Sequence, residues 1–251
     1  MHLSATHPAR SLSRPDGDRQ PPESALSSLF EPRPTETLEP DAVLFWEGDR
    51  AEDLFQVARG CLRLYRMMSD GRRAVTGFMF PGEILGVSFK DRYLFTAEAI
   101  TQAKLRRVPR TQLHASLARM PKLGRELLAT ASDEFSAAQD QMLLLARKTA
   151  LERIANFLVI VARRTGATRE AEEIELPMSR LDIADFLGLT IETVCRVLTK
   201  LKTEGLIALP SPHRVGLIEL AQLRRLAGEP ESALVASSAS RPTIRTAVWP
   251  S

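Results

Sequence analysis

Ser179-Arg180-Leu181-Asp182-Ile183-Ala184-Asp185-Phe186-Leu187-Gly188-Leu189-Thr190-Ile191-Glu192-Thr193-Val194-Cys195-Arg196-Val197-Leu198-Thr199-Lys200-Leu201-Lys202 reads as a helix, a tight turn and a second helix. Ser179 followed three residues later by Asp182 is a start signal, because their oxygens can satisfy the free N–H groups of a first turn. Leu181, Ala184 and Leu187 recur at helical spacing and predict one apolar face. Gly188 then supplies the left-handed backbone needed to leave a helix sharply, and Thr190 can cap the helix that follows.

In the second helix Val194, Val197, Leu198 and Leu201 form an inward stripe, which fixes the opposite face. That face carries Glu192, Cys195, Arg196 and Thr199, a polar set able to reach base edges in a major groove. Small Ala184 allows close approach of the two helices, as a helix-turn-helix requires. Around them Arg180, Thr190, Thr193, Thr199, Lys200 and Lys202 are candidate contacts to the DNA backbone. Downstream, Gly205 to Leu209 and Val215 to Leu220 flank Pro210-Ser211-Pro212-His213-Arg214, two strands with a basic turn that make a wing, with Arg214 expected at its tip.

Outward from this stretch, 251 residues with 44% hydrophobic and 26% charged residues suffice for two soluble domains. Lys plus Arg number 34 against 31 Asp plus Glu, so bulk charge says little about nucleic acid and local placement has to carry that argument. No stretch approaches a membrane span. The N-terminus lacks a basic segment followed by an apolar run and a cleavage site, so a cytoplasmic chain without a membrane partner is expected. The four histidines show no paired spacing and no nucleophile motif is present, which argues against catalysis.

Residues 1–40 are rich in Pro, Ser, Arg and Asp and are expected to be a disordered arm. Over 41–120, short apolar runs (Val43 to Trp46, Leu54 to Val57, Leu62 to Met67, Ala74 to Phe80, Phe95 to Ile100) alternate with Gly-containing turns, predicting a small β-barrel or sandwich. Ser69-Asp70-Gly71-Arg72 marks a hairpin, since Asp-Gly suits mirror-image turns. Only two cysteines occur, Cys61 and Cys195, far apart in sequence and unable to supply the four ligands of a structural zinc site or an ordinary iron–sulfur cluster. Cys61 reads as a small buried thiol in the sheet.

Over 121–146 the pattern becomes helical. Leu128, Ala131, Phe135, Ala138, Met142 and Leu145 recur at three and four residues, a heptad seam along which two copies could pair. A further amphipathic helix from Thr149 to Arg164 opens the segment 147–227 that ends with the helix-turn-helix and wing. Residues 228–251 are expected to be a flexible tail.

The order of barrel, long helix and winged helix-turn-helix resembles the Crp/Fnr superfamily of bacterial transcription regulators, most closely its FixK-like branch. The likeness covers about Ala42 to Leu226. It rests on Leu-Tyr-Arg-Met-Met-Ser-Asp-Gly-Arg-Arg, Pro-Gly-Glu-Ile-Leu-Gly, Phe-Thr-Ala-Glu-Ala and Leu-Pro-Met-Ser-Arg-Leu-Asp-Ile-Ala-Asp-Phe-Leu-Gly-Leu-Thr-Ile-Glu-Thr-Val. The resemblance implies an α+β chain: an N-terminal cyclic-nucleotide-binding-like β-roll, a long dimerisation helix and a C-terminal winged helix-turn-helix. It further implies a homodimer that binds a two-fold symmetric promoter and contacts RNA polymerase.

The family's base-reading pattern Glu-x-x-Ser-Arg falls on Glu192, Cys195 and Arg196, with cysteine in place of serine, and the likeness suggests TTGA half-sites. Arg196 can donate twice to a guanine and Glu192 can accept from the paired cytosine. Oxygen-sensing relatives hold an iron–sulfur cluster through clustered N-terminal cysteines, which are missing here. Nucleotide-binding relatives carry Gly-Glu and then Arg-Ser or Arg-Thr. Gly82-Glu83 is present and reads as turn chemistry, but Lys90-Asp91-Arg92-Tyr93-Leu94-Phe95 lacks the hydroxyl residue. These departures point to an activator needing no cofactor. Two alternatives stand beside it: a cyclic-nucleotide-dependent relative, and a protein-binding sensory module with a degenerate helix-turn-helix. Cys195, one residue from Arg196 near a helix N-terminus, is a candidate for inactivation by oxidation.

Overall fold

The computed structural model describes residues 24–87, 91–167 and 169–229. Eight strands come first: β1 (Thr35–Leu38), β2 (Val43–Phe45), β3 (Asp53–Arg59), β4 (Leu62–Met67), β5 (Arg73–Met79), β6 (Ile84–Leu85), β7 (Thr96–Ala99) and β8 (Ala103–Pro109). They form two four-stranded antiparallel sheets, β1-β8-β3-β6 and β2-β7-β4-β5, packed as a β-roll. Alternation fills its interior with Phe45, Phe55, Val57, Leu62, Leu64, Met79 and Phe95, each nearly sealed from solvent. The hairpin at Ser69 to Arg72 is present, but Asp70 does not take a positive φ. Met68 N–H bonds to Arg72 O at 2.8 Å, and only Gly71 is left-handed (φ 81°), so the loop closes on a glycine bulge rather than a two-residue mirror-image turn.

Residues 24–40 are not a disordered arm. A single 3-10 turn, Ser27–Leu29, buries Leu26 and Phe30 completely, and β1 pairs with β8 from Thr35↔Arg106 to Leu38↔Ala103. The apolar residues Ala25, Leu26, Leu29 and Phe30 recur at helical spacing between Pro- and Ser-rich runs, which conceals them. Residues 1–23, and all of the expected tail beyond Glu229, lie outside the described residues.

Helix α1 (Arg110–Arg119) leads into α2 (Pro121–Arg147), where Pro121 occupies the first-turn position in which its missing N–H costs nothing. Helix α3 (Ala150–Thr165) starts on a reciprocal Thr149–Glu152 cap and ends on left-handed Gly166 (φ 81°). Then follow β9 (Glu173–Glu175), α4 (Arg180–Leu187), α5 (Ile191–Thr203), β10 (Ile207–Ser211), β11 (Arg214–Leu217) and α6 (Leu220–Leu226), with the small sheet ordered β10-β11-β9. None of the described helices is long and apolar enough to cross a membrane.

One apolar cluster runs from the outer face of β4 and β5 (Tyr65, Val75, Phe78) and the following Phe80 through α3 into α4 and α5. The roll and the helix-turn-helix therefore share a core. At its centre the Phe78 ring meets Phe157 and Phe186 edge-on, with centroids at 6.2 and 5.4 Å.

Candidate nucleic-acid interface

Helix α4 begins where Ser179 predicts. The Ser179 hydroxyl accepts from Asp182 N–H at 3.1 Å, and the Asp182 carboxylate accepts from Ser179 N–H at 3.0 Å. Gly188 (φ 61°) turns the chain, and Thr190 Oγ1 then accepts from Thr193 N–H at 3.2 Å to cap α5. The inward stripe Val194, Val197, Leu198 and Leu201 is buried against Ile183, Ala184 and Leu187. Leu181 departs from its expected place: it is 47% exposed, and the buried position falls to Ile183, because α4 is covered both by α5 and by the roll.

Glu192, Cys195, Arg196 and Thr199 are exposed together on the outer face of α5. The backbone N–H of Glu192 itself, and next the Thr190 hydroxyl, hold the Glu192 carboxyl below the usual carboxylate value, so it is an acceptor at neutral pH. No described residue bonds to the Arg196 guanidinium, which leaves its fork available.

The flanking candidates divide. Thr190 and Thr193 bond each other at 3.1 Å in the cap, and the Thr199 hydroxyl donates to Cys195 O at 2.9 Å, so all three hydroxyls already have partners within the helix. Lys200 lies 3.7 Å from Glu204, whereas Lys202 is exposed without a partner among the described residues. Arg180 is half-buried. Burial lowers its pKa, Cys195 acts on it electrostatically in the opposite sense, and its Nη1 has no hydrogen-bond partner among the described residues. Arg214 opens β11 opposite Ser211 and sits 3.7 Å from Glu173, so the wing tip is Pro212-His213 rather than Arg214.

On α2 the seam splits as well. Leu128, Phe135 and Met142, seven residues apart, are 71%, 54% and 67% exposed, and Leu145 extends the same open side. Ala131 is half-buried. Ala138 is only 7% exposed and faces its own chain, so it stands apart from the open stripe. Ala138 shares a cleft with Phe78, Phe157 and Phe186 of its own chain, so tertiary packing rather than the heptad spacing covers it.

Several attachments behind the interface carry no local sequence signal. Arg153 in α3 donates to three carbonyls, Lys148 O (3.0 Å), Leu145 O (2.9 Å) and Leu187 O (2.8 Å), tying the end of α2 to the end of α4. Arg63 on β4 and Arg73 on β5 both reach the Asp182 carboxylate.

Known proteins agree with this architecture. Residues 35–120 match the model of the cyclic nucleotide-binding domain, and residues 152–226 that of the Crp-like helix-turn-helix domain. The nitrogen fixation regulation protein FixK of Azorhizobium caulinodans is 45% identical over 185 residues, covering 73% of this chain and 75% of that protein. The FixK of Rhizobium meliloti is 43% identical over 195 residues, covering 78% and 88%. The chain is a FixK-like member of the Crp/Fnr superfamily of transcription regulators. The structure of FixK2 from Bradyrhizobium japonicum superposes on this FixK-like regulator with a TM-score of 0.73 at 36% identity, covering 77% of this chain and 96% of that one. The superfamily consists of regulators rather than enzymes.

In this FixK-like regulator the roll interior is occupied by its own rings: Phe45 stacks on Tyr93 at 3.7 Å and lies 5.9 Å from Phe55. Gly82 is left-handed (φ 91°), as a turn glycine should be. Glu83 does more than close that turn, for its carboxylate is buried and accepts from Phe80 N–H (2.9 Å) and from Arg164 Nε (2.8 Å). Arg92 donates to Gly48 O at 2.6 Å. The two thiols differ sharply. Cys61 is sealed in the core, where burial pushes it well above the ordinary thiol value, while Cys195 is exposed on the outer face of α5.

Proposed function

We propose that this FixK-like regulator is a homodimeric transcription activator that reads a palindromic TTGA-type promoter through Glu192, Cys195 and Arg196 and contacts RNA polymerase in the cytoplasm. In this reading it works without a bound effector and is silenced by oxidation of Cys195. The observation that carries the reading is the open face of α5, where an ionised Glu192 and an Arg196 without a partner among the described residues stand one helical turn apart on either side of Cys195. Glu192 and Arg196 are matched to one G·C pair per half-site. The exposed stripe Leu128, Phe135 and Met142 supports pairing through α2, since apolar residues at this density on one helix face mark an interaction surface.

The effector-free mode is supported by the roll itself. Its interior is packed with Phe45, Tyr93 and Phe95, and Glu83 is engaged by Arg164 within the chain. Against the protein-binding alternative, counterion release on DNA predicts a steep salt dependence that the titration below reads directly.

The test uses protein purified in air without nucleotide, titrated against a labelled TTGA palindrome and then used in transcription with RNA polymerase. Binding that weakens steeply as salt rises, with transcription activated, is expected. A strict requirement for added cyclic nucleotide or for cluster reconstitution would overturn the effector-free reading.

A further inference from the structure

We propose that the roll acts as a positioning clamp for the helix-turn-helix, gripping it by two buried carboxylates: Asp182, held by Arg63 and Arg73, and Glu83, holding Arg164. The inference rests on the reading of a dimer that binds a palindrome.

Asp182 is 1% exposed, and its two oxygens have separate tasks. Oδ2 accepts from Ser179 N–H (3.0 Å) and Ser179 Oγ (2.7 Å), which caps α4. Oδ1 accepts from Arg63 Nη1 (3.2 Å) and Arg73 Nη2 (2.7 Å), which come from the roll. Each arginine is itself braced. Arg63 pairs with Glu98 on the neighbouring strand, and Arg73 also reaches Asp185 at 3.3 Å. The second grip runs the other way: Arg164, in the last turn of α3, bonds Glu83 through Nε and Nη2, donates to Phe78 O at 2.5 Å, and lies over the Phe80 ring at 4.7 Å. The Phe78–Phe157–Phe186 contact belongs to the same interface.

The hydrophobic effect that buries these rings is non-directional, and edge-on ring pairs add only a weak preference of orientation. Buried ion pairs add little net stability, because desolvation offsets their attraction, but their fixed hydrogen-bond geometry admits one arrangement. Since α5 packs on α4, gripping α4 and α3 fixes where α5 points relative to α2. In a dimer the two recognition helices must lie about one DNA turn apart, ~34 Å, and engaging both half-sites at once multiplies affinity. Arg63, Arg73, Glu83 and Arg164 are therefore positioning residues that touch no base.

The experiment uses the full chain with Arg73→Met and Arg164→Met, which keep apolar bulk, and Arg73→Lys, which restores a charge. Each is titrated on a single half-site duplex and on palindromes whose spacer is lengthened or shortened by one and two base pairs. The two Met variants should bind the half-site like the parent, lose about tenfold or more on the best palindrome, and show a flattened spacer preference, with Arg73→Lys recovering part of it. Equal losses on half-site and palindrome, tracking a lower unfolding temperature, would mean a merely structural role and overturn the clamp. An unchanged spacer profile in both Met variants overturns it too. A parent that binds the palindrome no better than the half-site overturns the dimeric reading itself, and the clamp with it.

Discussion

Arg153 Nη1 donates to the carbonyl of Leu187, the last residue of α4, at 2.8 Å, while its Nη2 reaches Leu145 O at the end of α2. One guanidinium thus neutralises the negative ends of two helices that meet at the Gly188 turn. Arg153→Met should lower unfolding free energy by about 1–2 kcal/mol, measured by urea denaturation, because three charged hydrogen bonds to carbonyls that are part-buried or exposed are lost. Arg153→Lys should recover less than half, since an ammonium cannot span three carbonyls in one plane.

Arg196→Ala should cost about 1–3 kcal/mol of discrimination at the G·C pair, read from affinities for the parent and substituted palindromes. Lys202→Ala should instead weaken all sequences alike and reduce the salt slope by about one. Unaltered discrimination by Arg196→Ala would remove it from base reading.

Phe135→Glu and Met142→Glu place a charge on the open stripe of α2 and should give a folded monomer by sedimentation, with palindrome binding reduced toward that of one half-site. Ala138→Glu should behave differently. Its side chain would enter the chain's own packing, so the expected result is a lower unfolding temperature rather than a clean monomer.

Cys195→Ser should bind DNA normally and survive peroxide, whereas Cys195→Asp should fail to bind. A charge ~4 Å from a phosphate costs about 1 kcal/mol in water and ~4 kcal/mol at an effective dielectric of 20. Equal peroxide sensitivity of parent and Cys195→Ser would clear this cysteine of the role.

Glu126 on α2 accepts from Ala25 N–H (3.1 Å), Leu26 N–H (3.0 Å) and Ser24 Oγ (3.0 Å), anchoring the N-terminal segment. Burial pushes its carboxyl up, but these three donors, with the nearby Lys122 charge, hold it below the ordinary carboxylate value. The folded-state value is depressed, so the contribution is full above the unfolded value of about 4.3 and disappears as pH falls through the lower folded one. Limited proteolysis near residues 24–30 should therefore accelerate in acid for the parent. Glu126→Gln should already be more susceptible at neutral pH and nearly independent of pH.

The recognition unit was legible because its signals are local: Ser179, Asp182, Gly188 and Thr190 lie within a dozen residues and each acts on its own neighbours. Strand β8 was not, although Ala103 and Leu105 alternate with Lys104 and Arg106, because its partners β1 and β3 lie about fifty to seventy residues away. The same holds behind the interface. The Arg63–Asp182 and Arg73–Asp182 contacts join residues 119 and 109 apart, and spacing along a chain cannot reveal a pairing that only the docking of the helix-turn-helix on the roll creates. Ala138 shows the complementary limit. A heptad identifies a helix face without saying which of two neighbours, the same chain or a second copy, will cover each position.

Burial of Cys61 has a practical corollary. With two cysteines in the sequence and one sealed in the core between the roll and the helix-turn-helix, a thiol-directed spin label or fluorophore applied to the unaltered chain would attach at Cys195 alone. If two copies pair as proposed, each would then carry a single reporter on α5. Dipolar spectroscopy between the two labels could measure the separation of the helices in solution, with ~34 Å as the distance matched to successive major grooves.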